Sequence, residues 1–421
     1  GACLAALLGG PEHGRWSIAP EDASAKTSRA YLSDTAVLET RFHTKDGEVA
    51  VIDFMPLTED EDKVDIVRIV RGMRGETKMQ MELVLRFNYG QAAPWVRRRD
   101  YGLSAIAGPD ALELHTAVPL QGRDMKTYAS FTVREGESVP FSLSYHPSHK
   151  MPQFVPDSSE SLARTVSWWR EWSKHCRFEC ENRRWQDAVK RSLITLKLLT
   201  FKPTGGIVAA PTTSLPEAIG GNRNWDYRYC WLRDSALTLY ALVNAGYREE
   251  AEAWRQWLLR AAAGHPEQLH IMYGVAGERW LPENVVPWLP GYESSLPVRV
   301  GNDALEQMQR DVYGELMETL HVAREADLSP LDEAWRMQKV LLEHLEKIWR
   351  RPDRGIWEVR GEDKHFTHSR LMCWVAFDRA VKSCEHFGLD GPVGRWRAIR
   401  DAIHADICSH GYDRGRNTVL Q

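Results

Sequence analysis

The chain has 421 residues, a formal net charge of −4 and 43% hydrophobic residues, an ordinary globular composition long enough for two or three domains. Near-neutral, interspersed charge gives no electrostatic footprint for nucleic acid or an anionic membrane, and no apolar run approaches the ~18 to 20 residues that a bilayer span needs. The seven cysteines lack a disulfide or zinc pattern, since Cys176 and Cys180 have no answering pair. They read as free thiols of a reducing, cytoplasmic compartment.

The opening GACLAALLGG has neither an initiator methionine nor the basic flank of a signal peptide, and reads as a cut into a domain. Residues 1–150 then carry strand texture. VLETRFHTKDGEVAVIDF predicts a hairpin turning at Asp46-Gly47. DIVRIVRGMRG and YASFTVREGESVPFSLSY add strands. From Lys78 to Phe87 the chain alternates, with Met79, Met81, Leu83, Leu85 and Phe87 on one face. Short strands separated by turn signals predict an antiparallel β-sandwich.

The texture changes at MPQFVPDSSE, where prolines end the β region and Ser158 or Ser159 is placed to cap the helix SLARTVSWWREWSKH. Residues 151–181 form this linker helix region. Over 182–421 helical periodicity dominates, with segments near 182–200, 234–263, 303–323, 331–349, 368–387 and 391–409. Leu305, Met308, Val312, Leu316 and Leu320 illustrate the spacing. One connection, 264–303, is unusually long and rich in aromatics, proline, glycine and carboxylates, which marks a functional loop.

Three stretches carry candidate chemistry. In GIWEVRG, Glu358 follows Trp357. A carboxyl shielded by an indole has its charged form disfavoured, which suits a general acid, although a Glu in a surface turn is the commoner outcome. In NWDYRYCWLRDSAL, Trp225, Tyr227, Tyr229 and Trp231 alternate with Asp226, Arg228 and Cys230 before a helix begins. Arg233 and Asp234 there fit a clamp on vicinal hydroxyls with aromatics against a sugar face, or else a helix cap and a local ion pair. The long loop offers Glu278, Glu283, Glu293 and Arg299, and HFTHS offers His365 and His368. Signatures for metalloprotease, serine hydrolase, nucleotide or dinucleotide chemistry are lacking, so neither metal nor cofactor is implied.

RNWDYRYCWLRDSALTLYAL, GERWLPE, LPGYESSLPVRVGN, DVYGELMETLH and GIWEVRGEDKHFTHSRLMCWVAFDRA together resemble glycoside hydrolase family 15, in order over most of the chain. This is the family of glucoamylases, glucodextranases and bacterial α,α-trehalases. The resemblance implies an α+β multidomain fold: an N-terminal β-sandwich, then an α/α toroid of six helix pairs. It implies inverting hydrolysis of a terminal α-glucoside in a disaccharide or oligosaccharide, with release of β-glucose. Glu358 falls on the family's general acid, and Arg233 with Asp234 on the pair that holds the terminal glucose. Trp231 and Trp357 would shape the pocket; Arg299 and His365 are further substrate-binding candidates.

Two departures qualify this. Starch-type glucoamylases commonly carry a second Glu after the acid, where this chain has Val359, which leans toward the trehalase branch. An inverting enzyme also needs a carboxylate base ~6.5 to 9.5 Å from the acid. The family's base lies well downstream of GIWE, and no matching block follows Glu358. With about seven or eight helices read from periodicity against twelve for a closed ring, the toroid is expected to be incomplete. A disaccharide phosphorylase, or a silent carbohydrate-binding protein, would be the alternatives on such a chain. Self-association of the toroid is left open.

Overall fold

The computed structural model describes residues 2–150, 157–328 and 331–420. The alternating segments become eleven strands: β1 (Arg15–Pro20), β2 (Lys26–Tyr31), β3 (Leu38–His43), β4 (Gly47–Phe54), β5 (Val64–Val84), β6 (Trp95–Arg99), β7 (Gly102–Ala107), β8 (Asp110–His115), β9 (Gln121–Arg123), β10 (Lys126–Arg134) and β11 (Ser138–Pro147). All pair antiparallel.

DIVRIVRGMRG and the Lys78–Leu83 alternation, read as separate strands, are one 21-residue strand, β5. Its first half lies between β4 and β11 in the sheet β2-β3-β4-β5-β11-β8-β7-β6, and its second half pairs with β1 and β10. Gly75, at φ 65°, supplies the left-handed turn of backbone at the crossing, a conformation that costs glycine little. The two sheets therefore face each other across one core. Val49, Val51, Val70, Leu112, Leu114 and Phe141 meet Ile18, Met79, Met81, Leu83 and Ala129 there.

Eight α-helices follow: α1 (Ser158–Lys174), α2 (Arg183–Leu198), α3 (Leu232–Asn244), α4 (Glu249–Ala261), α5 (Asp311–Glu325), α6 (Asp332–Ile348), α7 (Thr367–Phe387) and α8 (Val393–His410). Asp157, rather than Ser158 or Ser159, caps α1, its Oδ1 accepting the Ser159 and Glu160 amides at 2.9 Å. The prolines that mark the change of texture fall in 151–156, outside the described residues. The segment near 234–263 is two helices, because Gly246 at φ 99° turns the chain between α3 and α4. In the segment near 303–323, a 3-10 turn (Asp303–Glu306) precedes α5.

Within the helical region α3, α5 and α7 lie side by side, with α4 against α3, α6 against α5 and α8 against α7. Gly314 lets α5 and α7 approach, since a Cβ there would stand 2.2 Å from the Met372 carbonyl oxygen. Leu239, Trp254, Leu258, Leu316, Leu345, Phe377 and Ile403 fill the space between the layers. This alternation is that of an α/α toroid, here with seven α-helices described after residue 182.

The two regions are joined by contacts that support the loops. Helix α1 packs Trp169 and Trp172 against Leu193, Ile194, Leu242 and Tyr247, while Leu162 and Val166 meet Ile52 and Phe54 of β4. Ala5 and Leu8 pack on Val286, Leu289 and Val298 of the long loop. The Trp288 indole donates to the Tyr89 carbonyl at 2.9 Å. All seven cysteines are free. No described helix is long and apolar enough to cross a membrane.

Candidate active site

NWDYRYCWLRDSAL alternates like a strand because its polar groups two apart, Asp226 and Arg228, are anchors. Asp226 is fully buried and accepts from Arg228 Nε (2.8 Å), Arg228 Nη2 (2.7 Å) and the Gly301 amide (3.1 Å). Asn302 Nδ2 donates to the Asp226 carbonyl at 3.3 Å. These bonds tie the stretch to the far end of the long loop. Cys230–Trp231 then pairs with Met272–Tyr273, and α3 starts at Leu232. The long loop is thus pinned at several points, including a second short pairing of Asn284–Val285 with Arg299–Val300.

Glu358 sits on the connection between α6 and α7. That connection closes at its neck, where Asp353 and Lys364 exchange backbone bonds of 2.8 Å. Asp353 is buried and accepts the Arg310 amide (2.9 Å), the Gly355 amide (3.2 Å) and the Ser369 hydroxyl (3.1 Å), fixing the loop to both α5 and α7. Glu358 itself adopts φ 52°, a left-handed conformation that costs a non-glycine residue ~1 kcal/mol or more. Its amide donates to the Gly355 carbonyl at 3.2 Å, and its carbonyl accepts Gln307 Nε2 at 3.3 Å.

This backbone aims the Glu358 carboxyl at α3. Oε1 accepts the Trp231 indole N–H at 2.8 Å and Arg233 Nη2 at 3.4 Å. Arg233 also donates to Asp234 Oδ2 at 3.2 Å and to the Ile356 carbonyl at 3.3 Å. Both donors go to Oε1. Burial pushes the carboxyl above its ordinary value, opposed by Arg233 and the Trp231 bond and reinforced by Asp234. The result is a shielded carboxyl with a raised proton affinity, held in one orientation by a buried indole and a guanidinium.

Two further carboxyls on α5 share this field. Asp311 is fully buried with neither oxygen hydrogen-bonded to a described residue, and burial raises its pKa against the charges of Arg233 and His368. Glu315, one turn on, is pushed up to about 7 by burial and then by Asp311. The sequence reading passed over both. Their signal was an i, i+4 pair of acids on an otherwise apolar helix face.

A model described as glycosyl hydrolases family 15 matches residues 183–421, and one described as trehalase-like, N-terminal matches residues 1–123. The chain belongs to glycosyl hydrolase family 15. It is 35% identical over 431 residues to a trehalase of Mycobacterium tuberculosis, covering 95% of this chain and 62% of that protein. It is 34% identical to a trehalase of Mycolicibacterium smegmatis, covering 95% of this chain and 64% of that protein. With a trehalase of Thermoplasma acidophilum the identity is 30%, covering 100% of this chain and 72% of that protein. The chain thus spans less than two thirds of the first two relatives. Its fold is similar to that of a bacterial glucoamylase solved with acarbose, at TM-score 0.68 and 11% identity, over 95% of this chain and 62% of that one.

Against this family 15 frame the sequence-selected residues divide. Trp231, Arg233, Asp234 and Glu358 converge. Trp357 does not shield the Glu358 carboxyl as its position in GIWE implied: the residue is 77% exposed, and the positive φ at Glu358 turns the carboxyl to Trp231 instead. Arg299 is committed elsewhere, donating to Glu283 Oε1 (3.0 Å) and to the carbonyls of Asn222 (3.0 Å) and Asn224 (3.2 Å). Arg299 and Arg360 both lie over the Trp225 ring, and Arg360 also binds Glu283, at 2.7 Å. Glu283 therefore links the long loop to the residue two positions after Glu358. His365 is exposed and its Nδ1 accepts Arg370 Nη2 at 2.9 Å, at the entry to α7.

Proposed function

We propose that this chain carries the acid side of an inverting, exo-acting α-glucoside hydrolase, with α,α-trehalose the leading substrate and glucoamylase-type α-glucans next. The observation that carries the reading is the Glu358 carboxyl, half-buried, raised in pKa and oriented through one oxygen. With Oε1 occupied by two N–H donors, the proton resides on Oε2, from which it passes to the glycosidic oxygen as the bond to the leaving sugar breaks. Loss of that proton leaves a carboxylate that Trp231 and Arg233 stabilise, so the donors that lower the resting pKa also assist the transfer.

Asp234, 40% exposed and steadied by Arg233, is assigned to hydroxyls of the terminal glucose. The exposed Trp357 indole offers a planar face for sugar C–H groups at the rim. Arg299 acts through the Glu283 clamp that holds the loop, and His365 through Arg370. No described carboxylate is assigned as base; the family resemblance places it well downstream of Glu358. The trehalose preference is supported by the curated trehalases and by Val359 in place of a second Glu. In the whole protein, Glu358→Gln keeps the size and the Trp231 contact but has no proton to give. It is expected to lower kcat by ~10²–10⁴-fold with the Tm retained. Undiminished turnover would remove Glu358 from the acid role.

A further inference from the structure

The connection that carries Glu358 also carries Arg360, and the structure fixes this guanidinium in place. Its terminal nitrogens fork onto Glu283, at 2.7 Å to Oε2 and 3.4 Å to Oε1, and its central carbon lies 4.0 Å from the Trp225 ring centroid. Glu283 is 10% exposed and already accepts Arg299 Nε at 3.0 Å, while Arg299 also serves the Asn222 and Asn224 carbonyls. Two guanidiniums thus meet one carboxylate, and Arg360 is left with donors to spare. Its Nε–H and one N–H on each terminal nitrogen have no partner among the described residues, and its side chain is 43% exposed. A guanidinium held by a carboxylate fork and an aromatic face has given up its rotamer freedom in advance, so its remaining N–H groups bind at low entropic cost.

Trp225 relates this guanidinium to Glu358. Tyr227, two residues further along the same stretch, packs on Trp231 at 5.8 Å between ring centroids, and Trp231 holds Glu358 Oε1. The half-buried Tyr227 phenol is raised in pKa by burial and then by Glu217, Glu358 and Asp234, which puts it in the field of the same carboxyls. One aromatic stretch therefore meets Arg360 at Trp225 and the Glu358 carboxyl at Trp231. Arginine can only donate hydrogen bonds. In α,α-trehalose the departing oxygen sits on an anomeric carbon, so the leaving glucose sets its ring oxygen, which can only accept, and its 2-hydroxyl directly beside it. In maltose the departing oxygen sits on C4, between the 3-hydroxyl and C5, and the ring oxygen lies one bond further away.

Building on the hydrolase reading, we propose that Arg360 is a specificity-determining residue that donates to the ring oxygen and 2-hydroxyl of the leaving glucose, in the position that Glu283 and Trp225 set for it. Recognition of the leaving sugar is then placed two residues from the group that protonates its oxygen, and it favours a 1,1-linked disaccharide over a 1,4-linked one.

The test compares kcat/KM of the whole protein with that of Arg360→Gln and Arg360→Lys on trehalose, maltose and α-glucosyl fluoride, the last of which has no leaving sugar. Arg360→Gln should lower the value for trehalose roughly 10- to 100-fold more than that for the fluoride, and should narrow the preference for trehalose over maltose. Arg360→Lys keeps a charge for Glu283 but not the fork, so it should lose most of the same preference while retaining more of the Tm. A purely structural role would lower all three substrates together and leave their ratios unchanged, and that result would overturn the proposal. So would a parent that cleaves the fluoride but not trehalose, with the hydrolase reading left standing. A parent inactive on all three would overturn the hydrolase reading, and the proposal with it.

Discussion

Replacing Trp231 with Phe removes the indole N–H that donates to the proposed acid, with Nε1 at 2.8 Å from Glu358 Oε1. A hydrogen bond to a charged group is worth ~1.5–3 kcal/mol, and here it favours the ionised form. Arg233, now at 3.4 Å, can tighten onto the freed oxygen and recover part of this, so the lower end applies. About 1.4 kcal/mol is a tenfold gain in proton affinity. A general acid works while protonated, so the alkaline fall in kcat/KM should move to about tenfold lower proton concentration in Trp231→Phe. The assay is trehalose hydrolysis across pH, read with Tm as a control for the smaller ring, since Trp231 is only 2% exposed and a cavity costs ~1–3 kcal/mol. A packing defect would lower Tm and leave the limb in place. An alkaline limb that stays fixed, or moves to lower pH, would refute the argument that this bond tunes Glu358.

Glu315 makes a stability prediction. Its folded value of about 7 lies above the ordinary 4.5, so its contribution is intact below pH 4.5 and is lost as pH rises toward 7, by about 3 kcal/mol at most. Glu315→Gln should therefore raise Tm at pH 8 and leave it nearly unchanged at pH 4; an equal change at both would show that ionisation is not the cause. Glu283 is 10% exposed and binds Arg299 and Arg360, so Glu283→Ala should cost about 2–4 kcal/mol in urea unfolding and depress turnover by loosening the loop beside Glu358. A loss below about 0.5 kcal/mol would demote the clamp to a surface pair.

Much of the fold was legible because it is written in local period. Alternation marked the strands, and i, i+4 spacing marked the helices with their order. What periodicity misses is continuity and interruption. It split β5 in two, since Gly72 and Gly75 look like a turn, and it fused α3 with α4, since Gly246 looks like a tolerated helix glycine. Glu358 was legible as a motif, but its environment was not. The indole that meets Glu358 lies 127 residues earlier in the chain, whereas the adjacent Trp357 points to solvent. The same applies to Asp226, Asp311 and Glu283, whose importance lies in partners that only the folded chain brings together. The alternation of NWDYRYCWLRDSAL reports that packing: Asp226 faces inward as an anchor, and Trp231 and Arg233 hold the Glu358 carboxyl.

The central claim, inverting cleavage of an α-glucoside, is tested most directly by the anomers formed in the first moments of trehalose hydrolysis, followed by proton NMR before mutarotation. Water attacks the glycone on the face opposite the departing sugar, whereas the leaving glucose keeps its configuration. The account predicts α- and β-glucose in equal initial amounts, with neither appearing in Glu358→Gln. Initial release of α-glucose alone would mean retention and would contradict it.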